Sequence, residues 1–157
     1  MQKPLNPKRL ENITLYYLER FDACSGKVRQ MLNKRVQKQK MLGMEVDKNI
    51  HNWIEQTIHK MQQLGYLNDE RYTQNSIRRL SEQGKSGRYI RQKLATEGIS
   101  QTLISTYLSP DDELDRAIKM VHKKHLQYTE KDLAKLARAG FTYETAKKAL
   151  TQGEENV

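Results

Sequence analysis

This chain of 157 residues contains little of what secreted, membrane-spanning or disulfide-stabilised proteins need. Its one cysteine, Cys24, excludes an internal disulfide and suits a reducing compartment. No apolar run approaches the roughly 18 residues that cross a bilayer. The segment Met1-Gln2-Lys3-Pro4 lacks the apolar stretch of a signal peptide. We therefore expect a cytoplasmic location and no membrane partner.

Patterns typical of enzymes are also scarce. The segment Gly84-Lys85-Ser86-Gly87 lacks the preceding strand and the full spacing of a phosphate-binding loop. His122 and His125 are three positions apart, which is a spacing that can share a metal ion, but no suitable further ligand is nearby in the sequence. Cys24 has no obvious general base, so we expect a partly buried small residue. No Ser–His–acid order or carboxylate pair points to catalysis. We expect no enzymatic activity, no cofactor and no metal.

Positive charge is abundant and unevenly distributed. The 28 Lys and Arg residues exceed the 19 Asp and Glu residues, which gives a net charge of +9. Residues 1–66 hold 12 basic and 6 acidic side chains, residues 67–108 hold 7 and 4, and residues 109–157 hold 9 and 9. A protein of this kind binds nucleic acid or an acidic protein surface. The alternative is a helical protein with well-solvated lysines.

Two clusters supply the candidate binding residues. The first lies in a stretch with no acidic residue from 23 to 44, and the second is interrupted only by Glu82. On a helix, Arg88 and Arg91 share a side that Ile90 and Leu94 do not occupy. Such cations can follow phosphates or neutralise an acidic surface, or they can simply be a solvated helix face. The candidates are Lys27, Arg29, Lys34, Arg35, Arg78, Arg79, Arg88, Arg91 and Lys93.

The fold is predicted from a repeat. The stretches from Leu94 to Leu108 and from Leu136 to Leu150 have the same pattern 42 positions apart: a helix, a C-terminal glycine, an apolar residue, a Ser or Thr N-cap, and a second apolar-striped helix. No long segment alternates with period two. We predict an all-α fold of nine helices in three tandem groups, stacked as an elongated array. The groups are residues 9–65, 66–108 and 109–152, with 153–157 as a frayed tail.

Local patterns predict how some helices begin and end. Ser25, Asp47 and Asn68 are expected N-caps, because short polar side chains accept hydrogen bonds from the first turn of a helix. The polar segment from Gln37 to Lys40 is expected to be a loop, or alternatively a disordered arm that grips DNA. The last helix is expected to end near Leu150.

Four segments together resemble the RecX family. The segment from Gly65 to Tyr72 is similar to that family's most characteristic stretch, although Asn68, Tyr72 and Thr73 stand where the family commonly has Asp, Phe and Ala. Further similar segments are those from Leu15 to Leu32, from Gly87 to Ile99 and from Leu136 to Leu150. The likeness covers residues 9 to 151. Asp69 and Glu70 belong to the most distinctive of these motifs, but acids in a first helical turn stabilise the helix, so we interpret them as mainly structural.

The resemblance implies three tandem three-helix repeats in an elongated, curved monomer. It also implies a partner, the RecA–DNA filament, bound along its groove, with weak electrostatic binding to single- and double-stranded DNA. Family members are similar in blocking RecA filament extension, ATP hydrolysis, strand exchange and repressor cleavage. The alternative is a helix-turn-helix-like transcription regulator. The stretch from Ser100 to Leu108 weighs against it, because a recognition helix with no basic residue is poorly suited to DNA.

Overall fold

The computed structural model describes residues 3–155. Within that range it has helices and no strand, which confirms the all-α prediction. The helices are α1 (Pro7–Leu18), α2 (Ser25–Met41), α3 (Ile50–Gln63), α4 (Asp69–Glu82), α5 (Gly87–Thr96), α6 (Gln101–Tyr107), α7 (Glu113–Lys124), α8 (Glu130–Arg138) and α9 (Tyr143–Glu155). A single 3₁₀ turn, Pro110–Asp112, precedes α7.

Contacts divide the chain into two compact units, of which one ends at Tyr72 and the other begins at Thr73. In the first unit, α1, α2 and α3 bury a core that includes Leu10, Leu32 and Ile54. In the second unit, α7, α8 and α9 bury Leu136 and Leu150 among other apolar residues. Three α-helices fall in each predicted group, although α1 begins before residue 9. The division into three repeats stays a prediction, since the contacts separate two units.

The repeated pattern forms the same local structure twice. Gly98 and Gly140 end α5 and α8 with φ values of +90° and +106°, which L side chains rarely adopt. The hydroxyls of Ser100 and Thr142 then accept backbone N–H groups in the first turns of α6 and α9, both at 3.2 Å. This part of the sequence pattern is confirmed.

Helix α2 begins in a way that the sequence did not predict. Ser25 is its first residue rather than its N-cap. The Ser25 backbone N–H and hydroxyl both donate to Oδ1 of Asp69, at 2.8 and 3.0 Å. The Gln62 side chain donates to the Ser25 hydroxyl at 2.9 Å. The predicted cap is wrong because a carboxylate 44 positions away accepts the free N–H group.

Asp69 therefore holds α2 in place. Asn68 caps α4 as expected, because its side-chain oxygen accepts the Arg71 N–H. Next to Ser25, Cys24 is fully rather than partly buried.

The end of α2 also differs from the prediction. The segment Gln37–Lys40 is helical, and α2 continues to Met41. Gln and Lys favour helices, and the buried Gln39 side chain donates to the Lys3 carbonyl at 2.9 Å. The predicted loop or arm at 37–40 is therefore wrong. Helix α3 begins at Ile50, and Asn49 occupies its N-cap position. The Asp47 carboxylate accepts the Asn49 N–H at 2.8 Å in the turn before the helix, so the predicted cap at Asp47 is wrong.

Helix α9 runs to Glu155, five residues beyond its predicted end at Leu150. A Cβ on Gly153 would lie 2.9 Å from Cγ1 of Val121 on α7. This close approach packs the last turn of α9 against α7, so the predicted tail is helical as far as residue 155. Residues 156–157 of that tail lie outside the described residues.

Candidate functional site

The first candidate surface is a groove beside α2. We call it the α2 groove. It encloses about 460 Å³ and is lined by Tyr17, Lys27, Gln30, Met31, Lys34, Arg35 and Lys38. None of these lining residues is acidic. Helical periodicity explains the arrangement, because Val28, Leu32 and Val36 are fully buried on the opposite side of α2.

The cations of the α2 groove carry unbalanced charge. Lys34, Arg35 and Lys38 are exposed and make no ion pair within residues 3–155. Lys27 is half-buried, with its Nζ 5.9 Å from the centroid of the Tyr72 ring. Because α2 extends through residue 38, Lys38 stands one turn after Lys34 on the same face. Sequence reasoning missed Lys38 as a site residue because it assigned 37–40 to a loop.

Arg29 is also on α2 but does not line this groove. Its Nε and Nη2 donate to the two carboxylate oxygens of Glu55 on α3, at 2.6 and 3.0 Å. The hydrogen bond from Arg29 lowers the pKa of Glu55 below its ordinary value. The same bond raises the pKa of Arg29. The charge of Arg29 is therefore balanced by Glu55, whereas Arg35 has no ion-pair partner in the described part of the chain.

The second candidate surface lies wholly in the second unit. We call it the Arg88–Arg91 cleft. It encloses about 860 Å³. Its lining residues are Gly87, Arg88, Arg91, Gln92, Gln101, Leu108, Pro110, Glu113, Arg116, Gly140, Thr142 and Thr145. Ile90 and Leu94 are fully buried, so the two arginines occupy the side of α5 that the sequence predicts.

Close packing of α5 against the end of α8 shapes one wall of the cleft. The Ser86 hydroxyl donates to the Ala139 carbonyl at 2.7 Å and caps α5 by accepting the Tyr89 N–H. A Cβ on Gly140 would lie 2.5 Å from that hydroxyl and 3.4 Å from Cβ of Arg88. Arg91 is held from another side, because its Nη1 donates to the Ser105 hydroxyl at 2.9 Å. Both arginines therefore project from a closely packed wall of the cleft.

The other charged groups of the cleft neutralise each other. Arg116 is 2% exposed, and its Nη2 donates to Oε2 of Glu113 at 2.8 Å and to the Ser109 carbonyl at 2.9 Å. Glu113 also accepts the Gly87 N–H at 3.0 Å, at the start of α5. A buried arginine needs such partners, since an unpaired buried charge is strongly destabilising. The unbalanced charge of the cleft thus comes from Arg88 and Arg91.

The remaining predicted residues are placed elsewhere. Arg78 donates to the Asn75 side chain and lines a separate groove that also contains Asp112 and Asp115. Arg79 is exposed and lines neither of the two candidate surfaces. Lys93 lies 3.9 Å from the Glu97 carboxylate, outside the cleft. The structure therefore brings Lys27, Lys34 and Arg35 together, and separately Arg88 and Arg91.

Residues 3–155 contain neither a membrane-spanning helix nor a cluster of metal-binding side chains. None of their helices has the length and apolar character that crossing a bilayer requires. They hold no group of three or more His, Cys, Asp and Glu side chains that could bind a metal ion.

Similarity to known proteins shows which family the chain belongs to. A family model described as the second three-helix domain of RecX matches residues 68–108. The regulatory protein RecX of Myxococcus xanthus (strain DK1622) is 32% identical over 94% of this chain and 87% of its own length. The chain belongs to the RecX family. The regulatory protein RecX of Lactococcus lactis subsp. cremoris (strain MG1363) is 29% identical, and this chain spans about half of it, 53%.

Solved structures of RecX proteins share the fold. The crystal structure of RecX from Lactobacillus salivarius matches with a TM-score of 0.67 and 17% identity, over 95% of this chain and 97% of that one. A second RecX crystal structure matches with a TM-score of 0.63 over 90% of this chain. Because the sequence identity is only 17%, these matches show that the fold is shared and nothing more. Together with the matched second domain, they support an arrangement of three-helix repeats.

Proposed function

We propose that this protein is a negative regulator of the RecA recombinase. In this proposal a monomer binds in the groove of the RecA–DNA filament in the cytoplasm and hinders the addition of subunits. Filament extension, ATP hydrolysis, strand exchange and co-protease activity would all decrease, because each requires an extended filament. Family membership supports the regulatory role. The observation that carries the proposal is the presence of two surfaces that each hold at least two cations without a carboxylate partner within the described residues.

The α2 groove supports binding to a polyanion. Lys34, Arg35 and Lys38 follow one another along a helix whose opposite face is buried, so their charges form a row instead of a scattered set. A row of cations matches the repeating phosphates of a nucleic-acid strand and releases counterions on binding. Such contacts position a protein on a strand without reading its sequence.

The Arg88–Arg91 cleft supports a more specific contact. Two guanidinium groups on a closely packed wall, beside the amides of Gln92 and Gln101, can bind carboxylates or phosphates in a defined orientation. The cleft is large enough for a side chain or a loop of a partner. Inhibition would then need no bond chemistry. It would need only a higher affinity for one state of the filament than for another.

The test is RecA ATP hydrolysis on single-stranded DNA at protein concentrations well below that of RecA. We expect inhibition by the wild-type protein. The Arg88→Glu/Arg91→Glu variant should need at least about tenfold more protein for half inhibition, because even one lost charged hydrogen bond costs about 1.5–3 kcal/mol. The matched control is Lys147→Glu/Lys148→Glu, which changes the net charge equally on the exposed face of α9.

The outcomes separate the alternatives. Equal loss in both variants would mean that net charge alone matters and that the cleft has no special role. No inhibition by the wild-type protein at any salt concentration would contradict the proposal. Tight binding to one duplex sequence without any effect on RecA would instead favour the helix-turn-helix-like transcription regulator.

A further inference from the structure

Exposed aromatic rings are concentrated where α1 ends. Tyr16, Phe21 and Tyr66 are 54%, 55% and 55% exposed. The contrast with the second phenylalanine of the chain is clear, since Phe141 is 4% exposed and lies in a core. We call the group formed by Tyr16, Arg20, Phe21, Tyr66 and Arg71 the aromatic turn. All five residues lie in segments that resemble the RecX family, but none of them lines the α2 groove or the Arg88–Arg91 cleft.

The rings and the cations of the aromatic turn lie close together. A small pocket of about 310 Å³ is lined in part by Arg20, Phe21, Tyr66 and Arg71. The Arg20 guanidinium lies 3.9 Å from the centroid of the Tyr16 ring. The Phe21 N–H donates to the Tyr17 carbonyl at 3.0 Å, so the backbone of the turn is ordered by hydrogen bonding. The rings are therefore presented to solvent on a fixed backbone.

The aromatic turn is continuous with the α2 groove. The rings of Tyr17 and Phe21 have centroids 5.0 Å apart and are tilted by 36°. Tyr17 itself lines the α2 groove beside Lys34, Arg35 and Lys38. All of these residues belong to the first unit. A row of exposed cations thus lies next to a group of exposed rings.

We propose that the aromatic turn stacks on unpaired bases of single-stranded nucleic acid whose phosphates lie along the α2 groove. Every base has a π-face, so aromatic and arginine side chains bind unstacked bases whatever the sequence. Bases of a duplex are already stacked and paired, and their faces are not accessible. The inference rests on the proposed function only in assigning phosphates to the α2 groove. It does not require RecA.

The charge of the pocket favours bases over phosphates at this position. Glu19 and Asp22 line it together with Arg20 and Arg71, so its charges cancel. Base edges carry both hydrogen-bond donors and acceptors, which suits a pocket with both kinds of partner, whereas a phosphate would gain no net electrostatic attraction there. A partner protein with an apolar surface is the other conceivable occupant. The row of unpaired cations next to the rings favours a polyanion instead.

The experiment compares three ligands of equal length by fluorescence anisotropy: an oligothymidylate, an abasic oligonucleotide and a duplex. The wild-type protein should bind the oligothymidylate more tightly than the other two. The Phe21→Ala/Tyr66→Ala variant should bind the oligothymidylate about fivefold more weakly or worse, because stacking contributes at least that much per base. Its binding to the abasic strand should not change. Circular dichroism checks that the variant keeps its helical content.

The matched control is Tyr143→Ala. Tyr143 is 58% exposed and has its own cation, with Nζ of Lys147 4.4 Å from its centroid, but it lies on α9 in the second unit. This control should bind all three ligands as the wild type does. Equal wild-type affinity for the oligothymidylate and the abasic strand, or no binding to either, would overturn the proposal.

Further results separate this inference from the proposed function. Suppose that the Phe21→Ala/Tyr66→Ala variant inhibits RecA poorly yet keeps the wild-type preference for bases. The aromatic turn would then bind protein, and the inference would be wrong. Suppose instead that wild-type protein prefers bases through Phe21 and Tyr66 but never inhibits RecA. The inference would then hold while the proposed function failed.

Discussion

The pairing of Arg29 with Glu55 leads to a sharp prediction about neighbouring cations on one helix. Arg29, Lys34 and Arg35 all belong to α2, and all three satisfy the same sequence criteria for a phosphate contact. Among the described residues, carboxylates bind Arg29 but neither Lys34 nor Arg35, and the Arg29 bonds measure 2.6 and 3.0 Å. We therefore expect Lys34 and Arg35, but not Arg29, to release counterions when the protein binds single-stranded DNA.

The magnitude follows from the number of contacts. Each phosphate contact with a single strand contributes about 0.7 to the slope of log K against log salt concentration, so the Lys34→Gln/Arg35→Gln variant should lose about 2 × 0.7 = 1.4 of that slope. Between 50 and 200 mM salt, the wild type should then lose about sevenfold more affinity than the variant. Anisotropy titrations with an oligothymidylate at several salt concentrations measure both slopes.

Two controls isolate the effect. Arg29→Gln/Glu55→Gln removes the ion pair without changing the net charge, and its slope should equal that of the wild type. Its stability should fall by about 1 kcal/mol or less, since the pair is solvent-exposed. Lys147→Gln/Lys148→Gln removes as much net charge as the test variant but from α9, and its slope should also be unchanged. A slope lowered by the Arg29→Gln/Glu55→Gln control would show that Arg29 leaves Glu55 on binding, and the reasoning would be refuted.

Two further predictions concern stability, measured by urea unfolding. Asp69→Ala should lower the free energy of unfolding by about 0.5–2 kcal/mol, the usual cost of a lost N-cap. Asp69→Asn should cost less, because the amide oxygen of the asparagine can still accept the Ser25 N–H. An Asp69→Ala variant as stable as the wild type would contradict the capping role of Asp69. Gly140→Ala should cost about 1–2 kcal/mol for its positive φ, and more for the overlap with the Ser86 hydroxyl. Gly65→Ala is the control, because Gly65 has φ +81° and an added Cβ there has nothing within 4 Å, so its loss of stability measures the backbone cost alone. Equal losses of stability in Gly140→Ala and Gly65→Ala would mean that the Ser86 side chain moves away without cost.

Helical regularity explains why much of the fold could be predicted. A buried face recurs every three or four positions, and caps bond within the same turn, so both are visible in consecutive residues. The pair of Gly98 and Gly140 with Ser100 and Thr142 was predicted in this way, and so was the exposed side of α5 that carries Arg88 and Arg91. The errors at Ser25 and at Gln37–Lys40 have another origin. There, Asp69 and the Lys3 carbonyl supply the bonds, from 44 and 36 positions away.

The sequence by itself determined the helical class, the repeated helix–glycine–cap pattern, the excess of positive charge and the resemblance to RecX proteins. All of these are properties of composition or of residues a few positions apart. The tertiary structure alone decided which cations remain unbalanced. Within residues 3–155, Arg29 and Arg116 are neutralised by carboxylates, whereas Arg35, Arg88 and Arg91 are not. It also placed Lys38 on a helix and Phe21 beside Tyr66. The physical reason is that charge pairing and ring contacts depend on distances in space, and these are set by how helices pack, not by spacing along the chain.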